Sequence, residues 1–505
     1  MIASRRQIAR AAGLVSLLFA ASRLLGLLRE VVIGARFGTG AELDAYLAAF
    51  RLPDLIFYLV AGGALGSAFL PVFTASLAQD SRPAAWRLAS AVCNLVLLAT
   101  TALAGLAALL AGPLVAHLIA PGFTPAQQAL TASLMRVMLL APILFGVSGI
   151  VMGILNSFQH FLAPALAPVV YNLAIILAAW FLAPGLGVAG LALGVVAGAA
   201  GHLLVQIPAL LRRQPLYQRT LGLSDPRVRE VARLMGPRVL GLAAVQINFL
   251  VSANLASRLS AGSLSALNYA WLMMLLPQGI VAQGIATAVF PTLSAQAAQG
   301  QLAGLRATLN AALRATLWLT LPAAAGLLIL RVPLIEAFLQ RGEFSAQSTD
   351  MTAYALAFFA FGLVAHSLLE IVTRAFYALH DTWTPVKIGL GAMALNVVLS
   401  LLLLQPLAYG GLALANTLAT TLETAALLWL IRPRLDGLGG RRLLNTFGRS
   451  LLATLAMSAA LLWFLARWGN GSPWLVVGGS LVLGGAVYGV SAFLLGRQEI
   501  GGLAR

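Results

Sequence analysis

The stretch 22–73, SRLLGLLREVVIGARFGTGAELDAYLAAFRLPDLIFYLVAGGALGSAFLPVF, decides how this chain folds and works. It contains two segments apolar enough to lie in a bilayer, yet it carries Arg23, Arg29, Asp44 and Arg51. A charge at membrane depth is costly, so such residues usually face a protein interior or a water-filled cavity and mark a transport path. These four side chains are therefore our first candidates for substrate contact.

The spacing of the charges places them on shared helix faces. At about 100° per residue, Arg23 and Glu30 lie within about 20° of each other, as do Asp44 and Arg51. Glu30 is therefore a further candidate for the site. A purely structural alternative is that these charges pair with one another, or reach the headgroups, and only hold the helices together.

The second apolar segment also carries helix breakers. Pro53 and Pro71 are expected to break it, with Gly62, Gly63 and Gly66 between them. Membrane transporters commonly build binding sites and hinges from broken, glycine-rich helices. The pattern thus favours a transport site in this half of the chain.

The composition indicates an all-α polytopic membrane protein. Of 505 residues, 60% are hydrophobic and only 9% charged, and apolar runs of spanning length recur throughout. We predict about 14 transmembrane helices. They cover approximately residues 11–35, 41–78, 86–111, 128–156, 163–183, 186–211, 231–258, 265–296, 303–330, 350–379, 384–404, 407–431, 444–466 and 474–496.

An internal repeat divides these spans. Three pairs of segments recur at a spacing of 220 or 221 residues: AFLPVFTASLAQ around Pro71 and AVFPTLSAQAAQ around Pro291, PGFTPAQQ around Phe123 and RGEFSAQS around Phe344, and the LAP at Pro164 and the WTP at Pro385. The repeat unit is six spans, and because six is even both copies enter the membrane from the same side. We therefore predict two six-helix lobes in parallel repeat around a central cavity, plus two C-terminal helices.

The predicted domains follow from this repeat. They are an N-lobe over 1–211 with spans 1–6, a cytoplasmic linker over 212–230, a C-lobe over 231–431 with spans 7–12, and a final region over 432–505 with a second linker and spans 13 and 14.

The distribution of basic residues predicts the orientation. The net charge is +17, and with fourteen spans nearly all of it falls on the side of the two termini. The opposite side keeps only Arg36, Arg258, Arg331, Arg341 and Arg467. This asymmetry places both termini in the cytoplasm of a bacterial inner membrane. It also assigns the excess charge to topology and anionic membrane lipids rather than to nucleic acid.

Neither an enzyme nor a metal protein is indicated. Lys387 is the only lysine and follows no phosphate-binding glycine motif, and the histidines are not clustered with carboxylates at metal-ligand spacing. We predict no catalytic residue, metal or cofactor. Glu370 and Arg374, four apart in span 10, favour an internal ion pair. Alternatively, Glu370 or Glu423 takes part in coupling transport to protons or another monovalent cation.

A cavity with more arginines than carboxylates should attract an anion, and guanidinium groups match phosphate oxygens bidentately. The sequence alone therefore indicates an exporter or flippase of an anionic, lipid-linked substrate. One alternative is a cation-coupled drug exporter, although like charges would repel a cationic drug. Another is a membrane scaffold that recruits cell-wall or division proteins without transport.

Several segments resemble the MviN/MurJ family of lipid II flippases, within the multidrug/oligosaccharidyl-lipid/polysaccharide exporter superfamily. They are SRLLGLLREVVIGARFGTGAELDAYLAAFRLP at 22–53, AFLPVF at 68–73, APGF at 120–123, ILNSFQHFLAPALAPVVYN at 154–172 and FYALHDTWTPVKI at 376–388. The resemblance covers nearly the whole chain. It implies a transporter that moves the undecaprenyl-pyrophosphate-linked peptidoglycan precursor, lipid II, to the outer leaflet, driven by the membrane potential or a cation gradient.

The resemblance also implies roles for particular residues. Arg23 and Arg29 match the cavity arginines of the family's first helix, Asp44 matches the aspartate of its second helix, and Arg51 matches a basic residue before LP. The two C-terminal helices would form a groove for the lipid tail.

Two positions depart from the family pattern. Phe57 and Leu272 stand where members of the family often carry arginine. Arg238 in span 7 is a candidate to compensate for them. Otherwise, the substrate is another polyprenyl-linked oligosaccharide.

Overall fold

The structure is a computed structural model that describes residues 5–60, 64–79 and 81–503. Within these ranges the regular structure is entirely helical, and the chain divides into two compact units, Met1–Ala261 and Gly262–Arg505. The all-α class predicted from the hydropathy is therefore confirmed.

The first unit contains twelve α-helices within the described ranges. They are α1 (Arg5–Phe37), α2 (Ala41–Val60), α3 (Ala64–Gln79), α4 (Arg82–Leu109), α5 (Ala111–Leu114), α6 (Pro125–Met138), α7 (Leu140–Ser157), α8 (Leu162–Phe181), α9 (Ala183–Leu186), α10 (Val188–Leu204), α11 (Ile207–Leu211) and α12 (Pro226–Ala256). A π-helical turn over Val115–Ile119 follows α5.

The second unit is built from fewer and longer helices. In the part that the structure describes they are α13 (Ser263–Ala298), α14 (Leu302–Ile329), α15 (Arg331–Phe338), α16 (Ala346–Ala378), α17 (Trp383–Ile431), α18 (Gly440–Trp468) and α19 (Pro473–Leu503). A short 3₁₀ helix, Pro433–Leu435, follows α17.

The helices match the polytopic prediction. Among the described residues, ten helical segments are long and apolar enough to cross a membrane. Ala408 interrupts the longest of them, α17, with non-helical backbone angles, so that α17 is two spans. Together with α1, the pair α2 and α3, and α12, the chain has the fourteen segments predicted from the sequence.

The second span is broken as predicted, but not at its prolines. Its halves are α2 and α3, and residues 61–63 between them lie outside the described ranges. Pro53 and Pro71 lie inside the two helices instead. Membrane helices tolerate interior proline because neighbouring groups satisfy the backbone atoms that the ring leaves unpaired.

The repeat reappears in the backbone of each unit. Gly187, between α9 and α10, has φ 57° and ψ −142°, and Ala408, 221 residues later, has φ 47° and ψ −133°. Gln159 and His380, also 221 apart, have φ of 56° and 59°. Such angles are rare outside glycine, so their recurrence at one offset confirms that the two sets of six spans are copies of one design.

The predicted linker 212–230 is helical only at its end. Asn94 of α4 donates hydrogen bonds to the carbonyls of Gln218 and Thr220, which hold the loop against the helix. The chain becomes helical at Pro226, and α12 packs on α2 and α3. By its contacts α12 therefore belongs to the first unit, whereas the repeat assigns residues 231–258 to the second lobe. The lobe boundaries themselves stay a prediction of the repeat.

Two glycines test the packing that the repeat depends on. A Cβ atom at Gly411 would overlap the carbonyl oxygen of Leu403, whereas one at Gly391, also in α17, would meet nothing within 4 Å. We expect Gly411→Ala to destabilise the fold by about 1–3 kcal/mol. Gly391→Ala should stabilise it by about 0.5–1 kcal/mol, because alanine loses less backbone entropy in a helix.

Thermal unfolding of both variants in detergent micelles measures this difference. A melting temperature of Gly411→Ala equal to that of the unmodified protein would contradict the close approach of the two spans.

Candidate functional site

The predicted charges of the first helix converge on one ion pair. In α1, Arg29 donates hydrogen bonds from Nε (3.1 Å) and Nη2 (2.6 Å) to the same carboxylate oxygen of Glu30. The side chains are 25% and 15% exposed, respectively. The pair is thus partly desolvated but still open to a ligand on one side.

Asn172 of α8 fixes the third nitrogen of this guanidinium. Its Oδ1 accepts a hydrogen bond from Arg29 Nη1 at 3.1 Å, and its Nδ2 donates to the backbone carbonyls of Ser22 and Pro168. Asn172 is 7% exposed. Burial and three hydrogen bonds give Arg29 a defined orientation.

Sequence reasoning did not identify Asn172, although it lies in a segment quoted for the family resemblance. The only local signal was an amide side chain within an apolar span, where polar residues commonly bond across helices.

A second group of charges lies on α2. Asp44 is 2% exposed. Arg51 lies with its guanidinium carbon 5.5 Å from the centre of the Phe249 ring, and its Nε is buried with no hydrogen-bond partner in the described part of the chain. Asp54, which sequence reasoning also missed, interacts electrostatically with both Arg51 and Arg29. The charges of α1 and α2 therefore form one electrostatic group.

The other predicted positions are less central. Arg23 is exposed at the side of α1. The side chain of Arg238 lies outside the described residues. Phe57, at one position where the family often has arginine, packs instead against the rings of Tyr58 and Phe145, with centroids 5.3 and 5.5 Å away. Leu272, at the other position, is half-buried in α13.

The two candidate coupling carboxylates of the second unit differ. Glu370 forms the expected ion pair, since Arg374 Nη2 donates to its Oε1 at 2.8 Å. Arg374 also donates to the hydroxyl of Thr287 at 3.0 Å. Glu423 of α17 is half-buried and forms neither a hydrogen bond nor an ion pair within the part of the chain that the structure describes.

The geometry of the first unit suits an anionic ligand. The guanidinium of Arg29 is held rigidly and partly exposed, and its planar fork matches two phosphate oxygens. Hydrogen bonds from an ionised donor are shorter and stronger than neutral ones. A phosphate or diphosphate group is therefore the ligand that this arrangement fits best.

Comparison with known proteins places the chain in a family. The sequence profile described as lipid II flippase MurJ matches residues 33–480. The chain belongs to the lipid II flippase MurJ family. Another MurJ protein, the probable lipid II flippase MurJ of Vibrio cholerae serotype O1, is 31% identical over 503 residues, which cover 96% of this chain and 95% of that protein.

Solved structures agree with the fold. A structure of lipid II flippase MurJ in an inward closed conformation aligns with a TM-score of 0.83 and 26% identity, covering 96% of this chain and 99% of that one. An inward-facing multidrug resistance MATE family transporter of the MOP superfamily aligns with a TM-score of 0.70 and 16% identity, over 82% of this chain and 94% of the other. The MurJ fold is thus shared beyond the family.

Changing the charge beside Arg29 tests the site. Asn172→Asp keeps the shape of the side chain but places a second carboxylate on the guanidinium. We expect the affinity for inorganic pyrophosphate to fall about tenfold or more, because the added charge competes with the anion.

Equilibrium binding of pyrophosphate to the purified protein at low salt measures this effect. Asn445→Asp, on the exposed start of α18, makes the same charge change elsewhere and should leave binding unchanged. Equal affinities for all three proteins would show that the anion does not bind at Arg29.

Proposed function

We propose that this protein is a flippase that moves lipid II, the undecaprenyl-pyrophosphate-linked peptidoglycan precursor, from the cytoplasmic to the outer leaflet by alternating access. The observation that carries the proposal is the guanidinium of Arg29, fixed by Glu30 and Asn172 within an apolar helix of a MurJ family member. Moving the substrate rather than changing it requires binding and release, and no catalytic group is part of the proposal.

In this mechanism the diphosphate of the substrate shares Arg29 with Glu30. Without substrate, Glu30 compensates the arginine charge, which would otherwise be costly at membrane depth. When the diphosphate arrives, it takes over part of the guanidinium fork. The carboxylate stays close by, so that binding is weak enough for release in the opposite leaflet.

The lipid tail needs an apolar surface, which we assign to the last two helices. Leu330 of the second unit packs with Met457 and Leu461 of α18, and this contact joins the helix pair to its unit. Other large apolar side chains of α18, such as Leu455 and Leu462, remain exposed. Because lipid tails are as apolar as leucine, this surface can accommodate a polyprenyl chain.

The remaining parts of the proposal follow the sequence analysis. Both termini lie in the cytoplasm, the membrane potential or a monovalent cation gradient drives turnover, and cell-wall synthesis or division proteins are the expected partners.

A second candidate function is the transport of another polyprenyl-linked oligosaccharide. It is favoured by Phe57, whose ring packs against Phe145, which in turn contacts Tyr171 at 5.2 Å between centroids. An aromatic cluster thus occupies a place where family members often carry a positive charge, which leaves fewer arginines for the diphosphate.

We expect Arg29→Ala to abolish lipid II translocation in reconstituted vesicles while the protein still folds and inserts. Arg29→Lys should restore only a small fraction, because an ammonium group cannot form the bidentate contact. The measurement is the fraction of labelled lipid II that crosses the bilayer with time.

Arg136→Ala is the matched control, since Arg136 is an exposed arginine of α6 that donates to a backbone carbonyl. It should transport normally. Full activity of Arg29→Ala would contradict the assigned site, and movement of a different polyprenyl-linked saccharide in place of lipid II would favour the second candidate.

A further inference from the structure

We infer that Glu423 is a proton-binding residue that couples transport to the transmembrane proton gradient. The inference rests on the proposed flippase function, and it assigns to one carboxylate a role that the arginine site of the first unit cannot perform.

Glu423 lies well inside a membrane span. It is eight residues before the end of α17 at Ile431, or about 12 Å along the helix axis. A Cβ atom at Gly389 would lie 3.2 Å from Glu423 Oε1, so the glycine leaves the space that the carboxylate occupies. The neighbouring hydroxyl of Thr424 donates to the carbonyls of Ala365 and Thr420 and is not available to the carboxylate.

The internal repeat explains why this carboxylate has no partner. The position 221 residues earlier is His202, whose Nδ1 lies 2.7 Å from Ser148 Oγ, and Gln206 donates to the same hydroxyl at 2.7 Å. A polar network therefore surrounds the titratable group in the first unit.

In the second unit, the positions equivalent to Ser148 and Gln206 are Leu369 and Leu427. Leu427 is fully buried, and Leu369 packs against the same apolar cluster. The chain has kept a titratable side chain at this place while replacing its hydrogen-bonding partners by leucine. A carboxylate in such surroundings is destabilised when ionised and relieved when protonated.

The charged and titratable groups near Glu423 are committed elsewhere. On α16, Arg374 is bonded to Glu370 and Thr287, and Tyr377 interacts electrostatically with both glutamates. His366 of α16 lies 3.1 Å from the side-chain oxygen of Asn416. Lys387, at the start of α17, is exposed.

The loop before α17 carries one further carboxylate, Asp381. Burial acts to raise its pKa, but hydrogen bonds from Thr384 and Arg434 outweigh this effect and lower the pKa to about 2. Asp381 therefore stays ionised near neutral pH and does not account for a pH response there.

The proposed step is a reversible protonation. On the acidic side, an O–H bond forms on a Glu423 carboxylate oxygen and removes the charge from the span. On the other side, the bond breaks and the proton leaves to water, with no electron transfer. A single carboxylate suffices for a proton, whereas a metal cation would need several oxygen ligands. Inward proton movement would thus drive outward lipid II movement.

The test uses the full-length protein in vesicles whose membrane potential is clamped to zero with potassium and valinomycin. An inward proton gradient should accelerate lipid II translocation about fivefold or more. Glu423→Gln, which is neutral at every pH, should translocate equally with and without the gradient.

Glu343→Gln, in the exposed loop before α16, is the matched control and should keep the stimulation. Gly389→Ala should reduce it, since the added methyl group displaces the carboxylate without removing it. An independent readout is the infrared carbonyl band of a protonated carboxyl group, which should appear on acidification of the unmodified protein and be absent from Glu423→Gln.

A Glu423→Gln variant that still responds to the gradient, or the absence of that infrared band, would overturn the inference while leaving the flippase function intact. If the unmodified protein moved no lipid II but showed the band, the proposed function would fail and the protonation of Glu423 would stand.

Discussion

The ion pair between Arg29 and Glu30, completed by Asn172, is the interaction on which the function of this structure depends. A positive charge in a membrane-spanning helix must be compensated, yet a transporter must leave it accessible to its substrate. The two nitrogens bound to Glu30 satisfy the first requirement, and the partial exposure of the pair satisfies the second. Asn172 keeps the guanidinium oriented between turnovers, because its amide also bonds the backbone of both α1 and α8.

The repeat shows that backbone and charge have followed different paths. Unusual backbone angles recur exactly one repeat apart at Gly187 and Ala408, so both sets of six spans keep the same chain reversals. The charged side chains do not recur. The first copy carries the arginines that suit a phosphate ligand, whereas the second carries an ion pair, Glu370 and Arg374, and the lone carboxylate of Glu423. One architecture thus provides separate places for substrate binding and for coupling.

Much of this organisation could be predicted from the sequence because it is written in local patterns. Hydropathy, the spacing of the repeated segments, and the four-residue spacing of Glu370 and Arg374 each lie within short stretches. Contacts between distant residues could not be predicted in this way. Asn172 meets Arg29 across 143 residues, and the packing of α12 on α2 and α3 depends on tertiary contacts that the repeat does not encode. Proline positions alone also failed to locate the break in the second span, since tertiary contacts decide whether a helix absorbs a proline.

An experimental structure of the protein with bound lipid II would test the central claim most directly. The account predicts that diphosphate oxygens lie within hydrogen-bond distance of the Arg29 guanidinium, that Asn172 keeps its contact, and that Glu30 yields part of its share. A diphosphate bound away from Arg29, with the pair of Arg29 and Glu30 unchanged, would contradict it.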